Sequence, residues 1–379
     1  MRVAFVSETV AQHRETGATE RTRRTAEALA GRGHDAVVCC AQWWDGDHET
    51  FEQGGVTYRA VTDESPGDAR GFALGLAGAL RAADPDVIQV SPATPSHVVA
   101  AKLASIALRA PLVVDWYDAP EPGDADDPRW RLAAAAPELV LTPSETVRTR
   151  VRELGPDADA VRVVPNAIDI DAIRAAQPRE VADVVYSRRL DEDANLESLL
   201  LALAELRDRD WSALVIGDGP ERDVYERQVR DLRIEDRVSF AGHQPLENRL
   251  AAFKGAHVYA QTARRESFPT DLLRALACGC AGVVEYHVDS SAHELVEQED
   301  RAFRTTSEQE LTDALVAASE MERLDFDENF AEYDDEAVLD RYLTAYDEAE
   351  ERLSWVEPAA VAGGVLAVVA LAVLLVAFL

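Results

Sequence analysis

The chain has 379 residues, 47% of them apolar, which suffices for two domains with separate cores and argues against disorder. Its formal net charge of -32 excludes the basic patches that nucleic-acid binding requires, so no nucleic-acid partner is expected. Lysine occurs only at positions 102 and 254, every other basic residue being arginine. Carboxylate excess with scarce lysine suits a surface solvated in molar salt, where a Debye length of about 3 Å suppresses self-repulsion.

The first half alternates short apolar runs with helical patterns. Strands are expected at 2–6, 36–40, 56–61, 86–90, 112–115, 139–142 and 161–165, mostly as continuous apolar runs of the kind buried on both faces of a parallel sheet. The first helix shows Ala26, Leu29 and Ala30 at helical spacing. The second half repeats the pattern, with strands at 183–186, 213–217, 237–240, 257–260 and 281–284. Its helices are expected to begin near Asn195, Pro220, Pro245 and Pro269, with proline at the first helical position in three of them. Two repeating βα halves imply two Rossmann-like domains, with ligand binding in a cleft where strand carboxyl ends face each other. The expected domains are 1–167, then 168–354 with a closing helix at 336–353, then a membrane segment at 355–379.

Residues 359–379, "AAVAGGVLAVVALAVLLVAFL", contain no charge. At 1.5 Å per residue they span about 31 Å, the thickness of a bilayer's hydrocarbon core. Trp355 precedes the run, where an interfacial aromatic belongs. A single-pass C-terminal anchor is expected, with the catalytic body at the cytoplasmic face of the cell membrane. The N-terminus opens directly on a strand and shows no secretory signal. Cys39, Cys40, Cys278 and Cys280 have no metal-ligand spacing, and neither a metal nor a cofactor is expected.

Five stretches carry the chemistry: "VRVVPNAID" (161–169), "VVYSRRLDEDANLESLLLAL" (184–203), "LVIGDGPERDVYE" (214–226), "RVSFAGHQP" (237–245) and "ARRESFPTDLLRALACG" (263–279). A Gly-rich turn, Gly17-Ala18, precedes the first helix, where the backbone can approach a phosphate or simply turn. With these motifs in this order, residues 1 to 350 resemble the family 4 glycosyltransferases, an α/β GT-B fold of two doubly wound Rossmann-like domains facing a cleft. The resemblance implies a retaining glycosyltransferase that uses a nucleoside-diphosphate sugar, with the leaving diphosphate able to take the acceptor's proton.

Carried over position by position, the resemblance places Gly17 and Ala18 against the donor diphosphate and gives Arg189 the grip on it. Arg188 stands where the family has Gly, and Ala194 where it has Lys. Glu266 is matched to the carboxylate that touches the transferred sugar. The second glutamate of that pair, the ribose acceptor, is replaced by Arg274, which offers five donors and no acceptor. Arg188, Arg189, Arg264, Arg265 and Arg274 are therefore expected to supply the phosphate cations that Ala194 cannot, as bidentate ligands; pairing with surface carboxylates is the other reading. Gly217, Ser267, Phe268, Thr270 and Asp271 complete the expected donor side, the amides near Thr270 facing an anion at a helix start. On the acceptor side the family's histidine is replaced by Tyr117 and Asp118. Asp118 is either a base toward the acceptor hydroxyl or a helix cap, and Asp115 positions that loop. His97 reaches the same region or is a surface or capping residue.

The expected function is transfer of a sugar to a membrane-associated acceptor, lipid-linked or glycan. The rivals are a catalytically weakened scaffold of a membrane glycosylation complex and a sugar-nucleotide epimerase.

Overall fold

The computed structural model describes residues 1–354 except Glu64, Ser65, Ala119, Glu121, Pro122 and Glu180. The expected membrane segment, Trp355 included, lies outside the described residues. Among the described residues, no helix is long and apolar enough to cross a membrane.

The chain divides into two compact units, residues 1–165 with the C-terminal helix from Glu336, and Asn166–Asp335. In the first unit the elements run β1 (Arg2–Val6), α1 (Gly17–Gly31), β2 (Asp35–Ala41), β3 (Thr50–Gln53), β4 (Val56–Thr62), α2 (Ala69–Ala83), β5 (Val87–Val90), α3 (Pro95–Leu108), β6 (Leu112–Asp115), α4 (Pro128–Ala135), β7 (Leu139–Thr142), α5 (Glu145–Glu153) and β8 (Val161–Val163). They form one eight-stranded sheet, order β3-β4-β2-β1-β5-β6-β7-β8. Strands β5, β6 and β7 are buried at every position, as their apolar runs demand. The core packs Phe72, Leu76, Leu80, Val98 and Ala101 of α2 and α3 on Ala4, Ile88, Leu112 and Val114. The antiparallel β3 pairs with β4; its mixed sequence "TFEQ" carries no apolar run that would announce it.

The second unit runs α6 (Ile170–Ala175), β9 (Val184–Ser187), α7 (Leu196–Glu205), β10 (Ala213–Ile216), α8 (Arg222–Asp231), β11 (Val238–Gly242), α9 (Leu246–Gly255), β12 (Val258–Gln261), β13 (Arg265–Glu266), α10 (Thr270–Ala277), β14 (Ala281–Glu285), β15 (Asp289–Ser290), β16 (Ala302–Thr305) and α11 (Glu308–Ser319). Its main sheet is parallel, order β11-β10-β9-β12-β14-β16, while β13 and β15 pair separately. Pro245 and Pro269 sit one position before their helices, and Pro220 lies two before α8, so none occupies the expected first helical position. Helix α7 begins after Asn195, whose φ of 51° is left-handed.

The last helix, α12 (Asp335–Ser354), corrects the expected domain boundary. It packs as part of the first unit, not the second. Tyr342 donates to Asp115 Oδ2 at 3.0 Å and Tyr346 to Gln89 Oε1 at 2.5 Å, both fully buried. Polar Gln89 and Asp115 are buried in their strands, and the two phenols of α12 provide partners.

Candidate functional site

Each parallel sheet reverses its strand order once, between β9 and β12 in the second unit and between β1 and β5 in the first. Open α/β sheets bind ligands at the carboxyl ends of the strands flanking such a reversal. In the second unit those ends release the segment 188–195 after β9 and the segment 262–269 after β12. They bring Arg188, Arg189 and Glu266 into one neighbourhood.

The glycines of "GDG" shape the first segment. Gly217 has φ 131°, and a Cβ there would lie 1.9 Å from the Arg188 carbonyl oxygen; one on Gly219 would lie 2.2 Å from that of Leu190. Hydrogen bonds fasten the same backbones: Arg188 N–H to Ile216 O at 3.1 Å, Leu190 N–H to Asp218 O at 3.0 Å, and Glu221 N–H to Leu190 O at 3.0 Å. Gly217 thus permits backbone-on-backbone packing that any side chain would wedge apart. Asn195 fastens the far end of the segment, donating to Thr262 O at 2.8 Å and Glu285 Oε2 at 3.0 Å, with His287 Nε2 at 3.3 Å. Buried Ala194 meets the phenol of Tyr186, which donates to its carbonyl oxygen at 2.6 Å.

The arginines expected to act together separate into different roles. Arg189 is exposed, its side chain 63% accessible, with Asp191 Oδ2 at 3.8 Å. Arg188 is enclosed: Nη1 donates to Asp193 O at 2.9 Å, Nη2 lies 3.7 Å from Asp191 Oδ1, and Nε lies 3.7 Å from Glu266 Oε2. Arg264 pairs with Glu197 at 2.8 Å. Arg265 shares the short strand β13 with Glu266. Arg274 is buried and donates to Asp271 Oδ1 at 2.8 Å. The residue expected at a phosphate is thus engaged by a carboxylate of its own helix. Asp271 also accepts from Arg249 Nη1 at 2.7 Å and from Ser187 Oγ at 2.7 Å. Burial alone would raise the Asp271 pKa, but Arg249 and then Arg274 bring it below the ordinary carboxylate value. Arg274 and Asp271 therefore lock α10 against α9 and β9. Thr270 donates its amide to Phe268 O at 3.0 Å and accepts from Asn166 Nδ2 at 2.8 Å, so that amide already has a partner within the chain. Ser267 O accepts from Ser291 Oγ at 2.9 Å, and Phe268 is buried.

In the first unit Asp115 is the hub of a buried network. Arg21 Nε lies 3.0 Å from both carboxylate oxygens, Gln89 Nε2 donates at 3.1 Å, and Arg21 Nη2 donates to Val164 O at 2.8 Å. Asp115 is the last residue of β6, so this network holds the strand end from which the next loop leaves. Asp118 is exposed in that loop and Tyr117 is buried. The Tyr117 ring lies directly over Gly17, where a Cβ would come within 2.4 Å of its hydroxyl. Gly17 is therefore needed for an aromatic contact, a reason the sequence did not disclose. Helix α1 starts through a Thr16–Thr19 capping box that includes Gly17 and Ala18 in its first turn. His97, in the first turn of α3, is buried and not a surface residue; Nε2 lies 3.7 Å from Glu8 Oε2, and Phe72 packs at 4.9 Å between ring centroids. Burial lowers its pKa, with Glu8 opposing.

Sequence reasoning missed Arg21, Gln89, Tyr342, Tyr346, Glu8, Ser187, Arg249 and Asn195. Gln89 inside "VIQV" was the available signal, because a polar side chain in a wholly buried strand requires a partner. Among the described residues, no group of three or more His, Cys, Asp or Glu could hold a metal ion.

Comparison with known proteins bears on both units. Residues 169–336 match the model for glycosyl transferases group 1, and residues 16–167 match the glycosyl transferase 4-like domain. A 2-deoxystreptamine glucosyltransferase of Streptomyces kanamyceticus is 30% identical over 166 residues, covering 40% of this chain and 43% of that protein. A D-inositol 3-phosphate glycosyltransferase of Nocardia farcinica is 29% identical over 182 residues, covering 43% of this chain and 40% of that one. The chain thus spans less than half the length of these curated relatives. The crystal structure of Anabaena HepE in complex with UDP superposes with a TM-score of 0.69 at 21% identity, over 93% of this chain and 100% of that one. Two successive segments of the chain thus match glycosyl transferase family models, and the chain has the GT-B-type α/β fold with parallel sheets.

Proposed function

We propose that the protein is a hexosyltransferase that takes its sugar from a nucleoside-diphosphate sugar, with the second unit binding the donor at the carboxyl ends of β9 and β12. One observation carries this reading: an exposed Arg189 and a half-buried Glu266 stand beside each other's segments at the point of strand reversal. A guanidinium that stays charged and forks its donors suits a leaving diphosphate. Glu266 has the acceptor oxygens that a sugar's hydroxyls require. The UDP and UDP-glucose complexes of HepE, a protein of similar fold, support the donor class.

Transfer proceeds with retention, the leaving diphosphate accepting the acceptor's proton, so no carboxylate dyad is needed. The acceptor is membrane-associated, lipid-linked or glycan, a reading supported by the uncharged stretch 359–379, which we take as a membrane anchor with the catalytic body on the cytoplasmic side. The acidic, lysine-poor composition supports a halophilic setting, and the enzyme needs no cofactor besides its donor. A second reading, a weakened scaffold, draws on the engagement of Arg274 with Asp271 and on Ala194, which remove two polar contacts from the donor side.

The test is a transfer assay in molar salt with UDP-, GDP- and ADP-sugars and membrane extract as acceptor. Incorporation into lipid with the donor's anomeric configuration retained is expected, and Arg189→Ala should lower the rate at least 50-fold. Binding of these donors without any transfer would favour the scaffold; conversion of the donor itself without acceptor would favour an epimerase.

A further inference from the structure

We propose that Arg188 is the internal counter-ion of Glu266, a positioning residue that couples the small β13–β15 sheet to the main sheet, and not a ligand for the donor's phosphates. This rests on the donor-site reading above.

Three features carry it. The Arg188 backbone is held in place, its carbonyl oxygen close against Gly217 and its amide bonded to Ile216 O. Its guanidinium faces inward, with the side chain 14% exposed against 63% for its neighbour Arg189. What it faces is acidic: Asp191 Oδ1 and Glu266 Oε2, each at 3.7 Å, and the Asp193 carbonyl oxygen at 2.9 Å. Two carboxylates already surround one positive charge, so an incoming phosphate would meet repulsion from both before it reached the guanidinium. Burial by itself would lower the Arg188 pKa, yet Glu266, then Tyr186, Asp191 and Asp193, raise it.

Glu266 stands apart from the main sheet. It lies on β13, a two-residue strand that pairs with β15 and not with the main sheet. Arg188 projects from the end of β9, which is central to that sheet. The ion pair therefore ties a carboxylate on this small strand pair to the main sheet. The phosphates are left to Arg189, one residue on, whose side chain is exposed.

Calorimetry with UDP, GDP and ADP in molar KCl tests the division of labour. R189A is expected to weaken diphosphate binding more than tenfold, while R188A changes it less than threefold. R188A should still lower kcat for sugar transfer at least tenfold, and R188K should recover part of that loss by restoring the charge. Equal weakening of diphosphate binding by R188A and R189A would overturn the inference. If the wild-type protein binds none of the three, the donor reading falls, and the pair is judged by a stability cycle of R188A, E266A and the double variant. Non-additive effects support the counter-ion, and additive ones overturn it.

Discussion

Replacing Gly217 by alanine tests whether the packing of the "GDG" turn sets the site. A Cβ at this position would lie 1.9 Å from the Arg188 carbonyl oxygen, and the residue's φ of 131° is open to glycine alone. Ordinary contact needs about 3.4 Å, so the Arg188 segment must retreat by roughly 1.5 Å. Backbone strain at a glycine-only conformation costs about 1–3 kcal/mol, below the roughly 5–15 kcal/mol by which folded proteins are ordinarily stable. The variant should therefore fold, with lowered thermal stability and unchanged far-UV circular dichroism. Its activity should fall far more, because misplacing a site by about 1 Å can cost on the order of a hundredfold in rate. Gly78→Ala is the control: exposed in the middle of α2, with nothing within 4 Å of its added Cβ, it should stabilise by about 0.5–1 kcal/mol and leave the rate alone. Initial rates of sugar transfer in molar salt, with melting curves alongside, provide the readout. A Gly217→Ala rate within threefold of wild type would refute the reasoning.

Tyr342→Phe removes a phenol that donates to the buried Asp115 carboxylate; denaturant titration should show a loss of about 1.5–3 kcal/mol. Asp115→Ala should cost about 3–5 kcal/mol, because Arg21 is left charged and buried without its carboxylate. His97 has a pKa lowered by burial against the opposing Glu8, so the folded state binds fewer protons than the unfolded chain. Stability should then decline as pH falls below the ordinary histidine value of 6.5, and His97→Phe should flatten part of that decline. His13 and His257, shifted the same way, contribute to the same decline. The four cysteines are free and buried, with Cys39 and Cys278 pushed up to about 12 by burial. A thiol reagent at neutral pH should label none of them until the protein is unfolded.

The main strands were legible because buried parallel strands must be continuous apolar runs, as "VIQV" and "LVLT" nearly or wholly are. Strands β3, β13, β15 and β16 were not, since "TFEQ", "RE", "DS" and "AFRT" are short and carry no continuous apolar run. The site segments were legible from their motif order. Their electrostatics were not: Arg188 and Arg189 are equivalent as letters, yet one step along the chain turns one guanidinium inward and the other outward. Arg274 illustrates the same limit. Its three-residue spacing from Asp271 on one helix face permits the ion pair, but only packing against Arg249 and Ser187 decides that the pair is buried. The placement of α12 was hidden for a related reason. Its tyrosines are spaced four residues apart, which any packed helix face might show, and their partners lie in strands more than two hundred residues earlier.

A crystal structure of the protein with a nucleoside diphosphate in molar salt measures the central claim most directly. The diphosphate should lie at the carboxyl ends of β9 and β12 with its oxygens within hydrogen-bond reach of the Arg189 guanidinium. Diphosphate bound elsewhere, with Arg189 still turned to solvent, would contradict the claim.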